Sequence, residues 1–146
     1  MRRSAIIVAV LLSISAATFA WKETDVQQLK GRVESARVEE LPSLCTQIAR
    51  KQADSADNFY KEGKIDEARA AVDDVVHYSD KARDAAIRSG KKVKDTEIAV
   101  RKLAEKLRNM KRTLAFEDQG PVQSAIDRLE EMRTDLFERM FGKKQK

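Results

Sequence analysis

The chain has 146 residues, 36% of them charged and 5% aromatic, with five glycines, two prolines, one cysteine and one histidine. A single Cys and a single His leave no disulfide framework, no zinc set and no Ser-His-Asp or Cys-His centre to assemble. The net charge of +5 falls to about +3 without residues 1–20, too mild to argue for nucleic acid. Abundant Ala, Lys, Arg, Glu and Leu, with no useful strand alternation, predict an all-α fold.

Residues 1–20 read as a secretory signal peptide. Arg2 and Arg3 form a positive n-region, an apolar stretch runs from Ala5 to Leu12 and on through Ile14 to Phe19, and small Ala20 precedes the cut. Ser13, Ser15 and Thr18 interrupt the stretch, so cleavage is expected over a retained N-terminal anchor. Ser4 and Ala5 lack the bulk expected after a twin-arginine pair, and no Cys stands at the cut to take a lipid. The expected location is therefore periplasmic or secreted, and the remaining 21–146 has the length of one helical domain with a net charge of about +3.

The first helix is predicted over about 24–40, capped by Thr24 with Gln27 reaching back, and its stripe is Val26, Leu29, Val33 and Ala36. Pro42 forces a break near Glu40. A second helix, about 42–62, turns Leu44, Cys45, Ile48, Ala56 and Phe59 inward and closes at Gly63. From Ile65, steps of three and four residues reach Ala68, Val72, Val75, Ser79, Ala82, Ala86, Ser89, Val93, Thr96, Val100, Leu103, Leu107, Met110 and Leu114 without a slip in phase. The unbroken phase predicts one central helix over about 65–114, roughly 75 Å long. The competing reading is a hairpin with Gly90 as the C-cap of its first helix. Phe116 to Gly120 then reads as a turn, with Pro121 opening the last helix, about 121–141. Val122, Ala125, Ile126, Leu129, Met132, Leu136, Phe137 and Met140 are its inward face, Gly142 ends it, and a basic tail follows. The predicted architecture is an elongated antiparallel helical hairpin or coiled-coil bundle built on the long central helix, with 42–62 folded along its first half and 121–141 along its second.

Charge is unevenly placed. Segment 88–112 carries ten cations against three acids, whereas 113–142 carries seven acids against three arginines. Internal pairing between the two is the expected use of this asymmetry. The alternative gives Arg101, Lys102, Lys106, Arg108, Lys111 and Arg112, with Lys143 and Lys144 of the tail, to an external anionic surface such as lipid headgroups.

Other residues carry weaker suggestions. Cys45 is a free thiol open to intermolecular pairing, though its place between Leu44 and Ile48 reads as core. Asp74 and His77 stand three apart on one helix face, but a carboxylate-bridged metal site needs Glu-x-x-His sets from other helices, so no metal or cofactor is expected and His77 reads as a surface side chain. Met110, Met132, Met140, Phe137 and Phe141 could line an apolar groove, but at helical spacing they read as core. Adjacent acids such as Asp73/Asp74 and Glu130/Glu131 point to different parts of a helix and make poor acid/base dyads.

Phe59, Tyr60, Gly63, Ile65, Ala68, Val72 and Val75, in the run FYKEGKIDEARAAV, resemble the turn and second-helix portion of a tetratricopeptide-type hairpin (residues 52–75). Gln52 stands where that family places a bulky aromatic, no Pro closes the second helix and no second copy of the motif recurs. The resemblance implies a helix-turn-helix unit and protein binding. The whole chain is similar to uncharacterised small exported bacterial helical proteins, which implies no function. The expectation is an exported, non-enzymatic helical protein of the cell envelope that binds an unknown protein partner or itself as a homo-oligomer; peripheral binding to an anionic surface is the alternative.

Overall fold

The structure, a computed structural model, describes residues 25–142. The expected signal peptide, the expected cap Thr24, and Lys143 and Lys144 lie outside them. The described residues form five α-helices and no strand: α1 (25–35), α2 (Leu41–Lys61), α3 (Ile65–Ser89), α4 (Val93–Lys111) and α5 (Phe116–Phe141). The all-α expectation holds, but the single central helix does not.

The break falls at Gly90, which adopts φ 69°, ψ 6° and donates its N–H to the Ala86 carbonyl. This left-handed conformation costs glycine little, whereas continuing a helix through it costs about 1 kcal/mol relative to Ala. Lys92 is also left-handed, at φ 63°, so the chain reverses within three residues. Stripe members from Ala68 to Met110 are nonetheless buried, apart from half-buried Ser89 and Val93. The heptad phase therefore identified the buried face of α3 and of α4 correctly, while giving no information on where the axis turns.

Helix α5 begins at Phe116, so Pro121 is its sixth residue and not its first. Glu117 and Asp118 stabilise the positive end of this helix, and the Gln119 side-chain amide donates to the Leu114 carbonyl (3.1 Å) across the start. Helix α1 ends at Ser35, and the Arg37 N–H donates to the Glu40 carboxylate (3.0 Å) in the turn leading to α2.

The α2–α3 turn closes as a Schellman motif around left-handed Gly63: Lys64 N–H donates to the Phe59 carbonyl (2.9 Å) and Gly63 N–H to the Tyr60 carbonyl (3.1 Å). Helices α2 and α3 form one antiparallel hairpin, α4 and α5 another. Arg69 reaches Asp118 near the start of α3 and α5, Arg83 reaches Asp135 further along, and Arg139 donates to the Ile87 carbonyl at their ends, so α3 and α5 run parallel. Helices α2 and α4 likewise lie side by side, joined by Lys106 and Asp54. One core is shared by all four, from Ala49 and Ala53 through Val72, Val75 and Leu107 to Leu129 and Leu136.

The second hairpin repeats the first in burial though not in residue type. Cys45, Thr46, Ile48, Ala49, Ala53 and Ala56 of α2 are matched 51 positions on by Thr96, Glu97, Ala99, Val100, Ala104 and Leu107 of α4, all buried. Ala68, Ala71, Val72, Val75 and Ala82 of α3 are matched 54 positions on by Val122, Ala125, Ile126, Leu129 and Leu136 of α5. Stacked hairpins of this kind bury a face that one hairpin alone would leave wet.

Helix α1 covers the first hairpin. Val26, Leu29 and Val33 pack with Leu44, Cys45, Ile48 and Ala82 in a second apolar cluster. Lys30 is paired with Asp74 (2.6 Å), which also accepts from the Gln52 side-chain amide (2.6 Å), and Lys51 is paired with Asp25 (2.5 Å). The polar Gln52 is thus used to hold α1, α2 and α3 together.

Candidate functional site

The expected basic face is divided by the fold. Lys106 is paired with Asp54 of α2 and Arg108 with Glu130 of α5, while the Lys111 ammonium donates to Gln123 (2.6 Å). The Arg112 guanidinium donates to neighbouring Asn109 (3.4 Å). Arg101 lies 4.0 Å from Glu97, and exposed Lys102 makes no ion pair among the described residues. Internal pairing across the α4–α5 hairpin therefore takes up the middle of the basic segment. Its centre is Glu97, whose side chain is only 7% exposed and accepts from Arg133 (3.0 Å), itself bound to Glu130 (2.8 Å).

The ends of the segment are used differently. Arg88 lies in the last turn of α3, Lys91 and Lys92 in the α3–α4 turn, and Lys94 in the first turn of α4. All four are exposed; Lys92 has a 3.6 Å pair with Asp95, whereas Arg88, Lys91 and Lys94 make no ion pair among the described residues. The last turn of α5 lies against this turn: the Arg139 guanidinium donates to the Ile87 carbonyl (3.3 Å) and stands 3.0 Å from where a Cβ on Gly90 would be.

Phe137 and Phe141 share this end. Their rings stack at 6.1 Å, and the Arg133 guanidinium lies over the Phe137 ring at 5.7 Å. They are 41% and 76% exposed, which corrects the placing of Phe137 on the inward face and of both in the core; Met110 and Met132 are core, and Met140 is half-buried. The reason is angular. The buried stripe of α5 runs through Leu129, Met132 and Leu136, and at 100° per residue Phe137 falls about 80° from Leu129 and Phe141 about 120°. One turn beyond the Glu97–Arg133 pair, Phe137 on α5 and Lys94 on α4 therefore flank the same edge. The spacing of two Phe four apart just before a basic tail was visible in the sequence; that they share a bundle end with Arg88 and Lys91 depends on the reversal at Gly90.

The other candidates resolve simply. Cys45 is free and fully buried under α1, and burial pushes its thiol up to about 11 against a small opposing pull from Lys81. His77 is exposed, edge-on to Tyr78, and Asp74 is engaged with Lys30 and Gln52. Among the described residues no three His, Cys, Asp or Glu side chains gather as metal ligands. A half-open groove of about 280 Å³ between α1, α2 and α3 is lined by Val26, Gln52, Asn58, Phe59 and Asp74 among others. No helix among the described residues is long and apolar enough to cross a membrane. A scan against protein-family models matches none, and searches of curated proteins and of solved structures return no match.

Proposed function

We propose that this chain is an exported, non-enzymatic helical interaction protein of the cell envelope, and that it engages an anionic surface there through the bundle end formed by the α3–α4 turn and the last turn of α5. One observation carries the reading: the exposed, stacked Phe137–Phe141 pair lies at the same end as Arg88, Lys91 and Lys94, none of which makes an ion pair among the described residues. An aromatic surface rimmed by cations suits a partner that is acidic and partly apolar. Cell fractionation of the exported protein tests it. Wild type should be recovered with the envelope and released by salt, and Phe137→Ser/Phe141→Ser should appear in the soluble fraction. Wild-type protein that is already fully soluble at low salt would remove the reading's support.

Self-association is the second reading, favoured by Phe116, which is 86% exposed at the opposite end of α5. A head-to-tail contact between the two aromatic ends would make sedimentation depend on concentration, and Phe116→Ser would abolish that dependence.

A further inference from the structure

We infer that this bundle end is a membrane-docking tip, taking the anionic headgroups of a lipid bilayer on Arg88, Lys91 and Lys94 and placing the Phe137 and Phe141 rings in the interfacial layer. This rests on the reading of the end as an anionic-surface site and names the surface.

Charge comes first. Segments 87–95 and 137–142, which build the tip, hold five cations against Asp95 and Glu138, a net +3, and the sequence continues from Gly142 into three lysines in four residues. A second copy docking tip to tip would set these cations against each other, so symmetric pairing is opposed by the same charges that favour an anionic surface. Shape comes second. The grooves lined by Gln52 and Asp74, by Arg32 and Gln47, by His77 and Arg128, and by Asp57 and Met110 include none of Arg88, Lys91, Lys94, Phe137 or Phe141. The tip is where α3 and α5 end, and the Phe137 and Phe141 rings are exposed there. A flat, deformable interface accepts such a tip, with rings at headgroup depth and cations around them. Apolar insertion and electrostatic attraction together supply the two signals that stable membrane attachment requires.

Flotation of the exported protein with vesicles tests this, using phosphatidylcholine containing about one third phosphatidylglycerol and, separately, phosphatidylcholine alone. Binding to the anionic vesicles is expected, with little to the neutral ones, and salt of about 0.5 M should remove most of it. Each tip cation is worth about fivefold in partitioning, so Arg88→Gln/Lys91→Gln/Lys94→Gln should weaken it on the order of 100-fold. Phe137→Ser/Phe141→Ser should weaken it at least about tenfold. Lys106→Gln, on the side of the bundle beside Asp54, should bind as wild type. If the triple variant does not fold by circular dichroism, Lys91→Glu in the exposed turn takes its place. Equal binding to both vesicle types, or variants that bind like wild type, overturns the proposal. Absent vesicle binding together with envelope retention that the tip variants abolish also overturns it, assigns the tip to an acidic protein and leaves the broader reading standing.

Discussion

At the scale of single residues, two buried hydroxyls and one thiol make distinct claims on stability. Tyr60 Oη and Ser79 Oγ are buried with no hydrogen-bond partner among the described residues. Burial first, then the charges of Asp118 and Asp73 against that of Arg69, raises the Tyr60 phenol above its ordinary value. An unpaired buried hydroxyl forfeits its hydration, so Tyr60→Phe and Ser79→Ala should each raise stability by about 1 kcal/mol in denaturant unfolding. Cys45 differs because its thiol is stable while neutral. Its folded value of about 11 lies above the 9 of the free group. Its contribution is therefore complete below pH 9 and lost as pH rises towards 11, by at most about 3 kcal/mol. Unfolding midpoints should fall over that window more steeply in wild type than in Cys45→Ala. The core role of Cys45 was readable from Leu44 and Ile48 beside it; the unpaired hydroxyl of Tyr60 was not, because nothing local to its sequence fixes what faces it across the bundle.

Among the elements, the α3–α4 turn gives the sharpest test. With Gly90 at φ 69°, Gly90→Ala should cost about 1 kcal/mol and displace Arg139 from above the turn. Lys92→Gly should instead add about 0.5–1 kcal/mol, since Lys92 also holds a left-handed conformation. A continuous helix through this region would reverse both signs, so thermal melts of the two variants decide between the architectures. Periodicity revealed the buried faces of α1 to α4, and that of α5 as far as Leu136, because side-chain spacing is local. It could not show the reversal, because Ser89 and Val93 are four residues apart whether the axis continues or turns back.

Considering the molecule as a whole, α1 is the cover of the first hairpin and Cys45 lies beneath it. Leu29→Ala should cost about 2–4 kcal/mol and loosen this cover, so a thiol reagent should label Cys45 faster in the variant under native conditions, with labelling rates read by mass spectrometry. Equal rates would mean that the thiol becomes accessible only on global unfolding. The candidate site was half legible at this scale. The cations of 88–112 stood out in the sequence, but separating those engaged by Asp54, Glu97 and Glu130 from those left at the tip required the hairpin to be closed first.

The repeated hairpins also set how the chain can reach its fold. Turns at 62–64, 90–92 and 112–115 join helices that pack on their immediate sequence neighbours, so many native contacts close over short loops with little entropy to overcome. The stack is completed when Val72 and Val75 of the first hairpin join Leu107 and Leu129 of the second in one core. Refolding should accordingly be fast, in milliseconds or less, with Leu129→Ala chiefly accelerating unfolding and Ala68→Gly chiefly slowing folding.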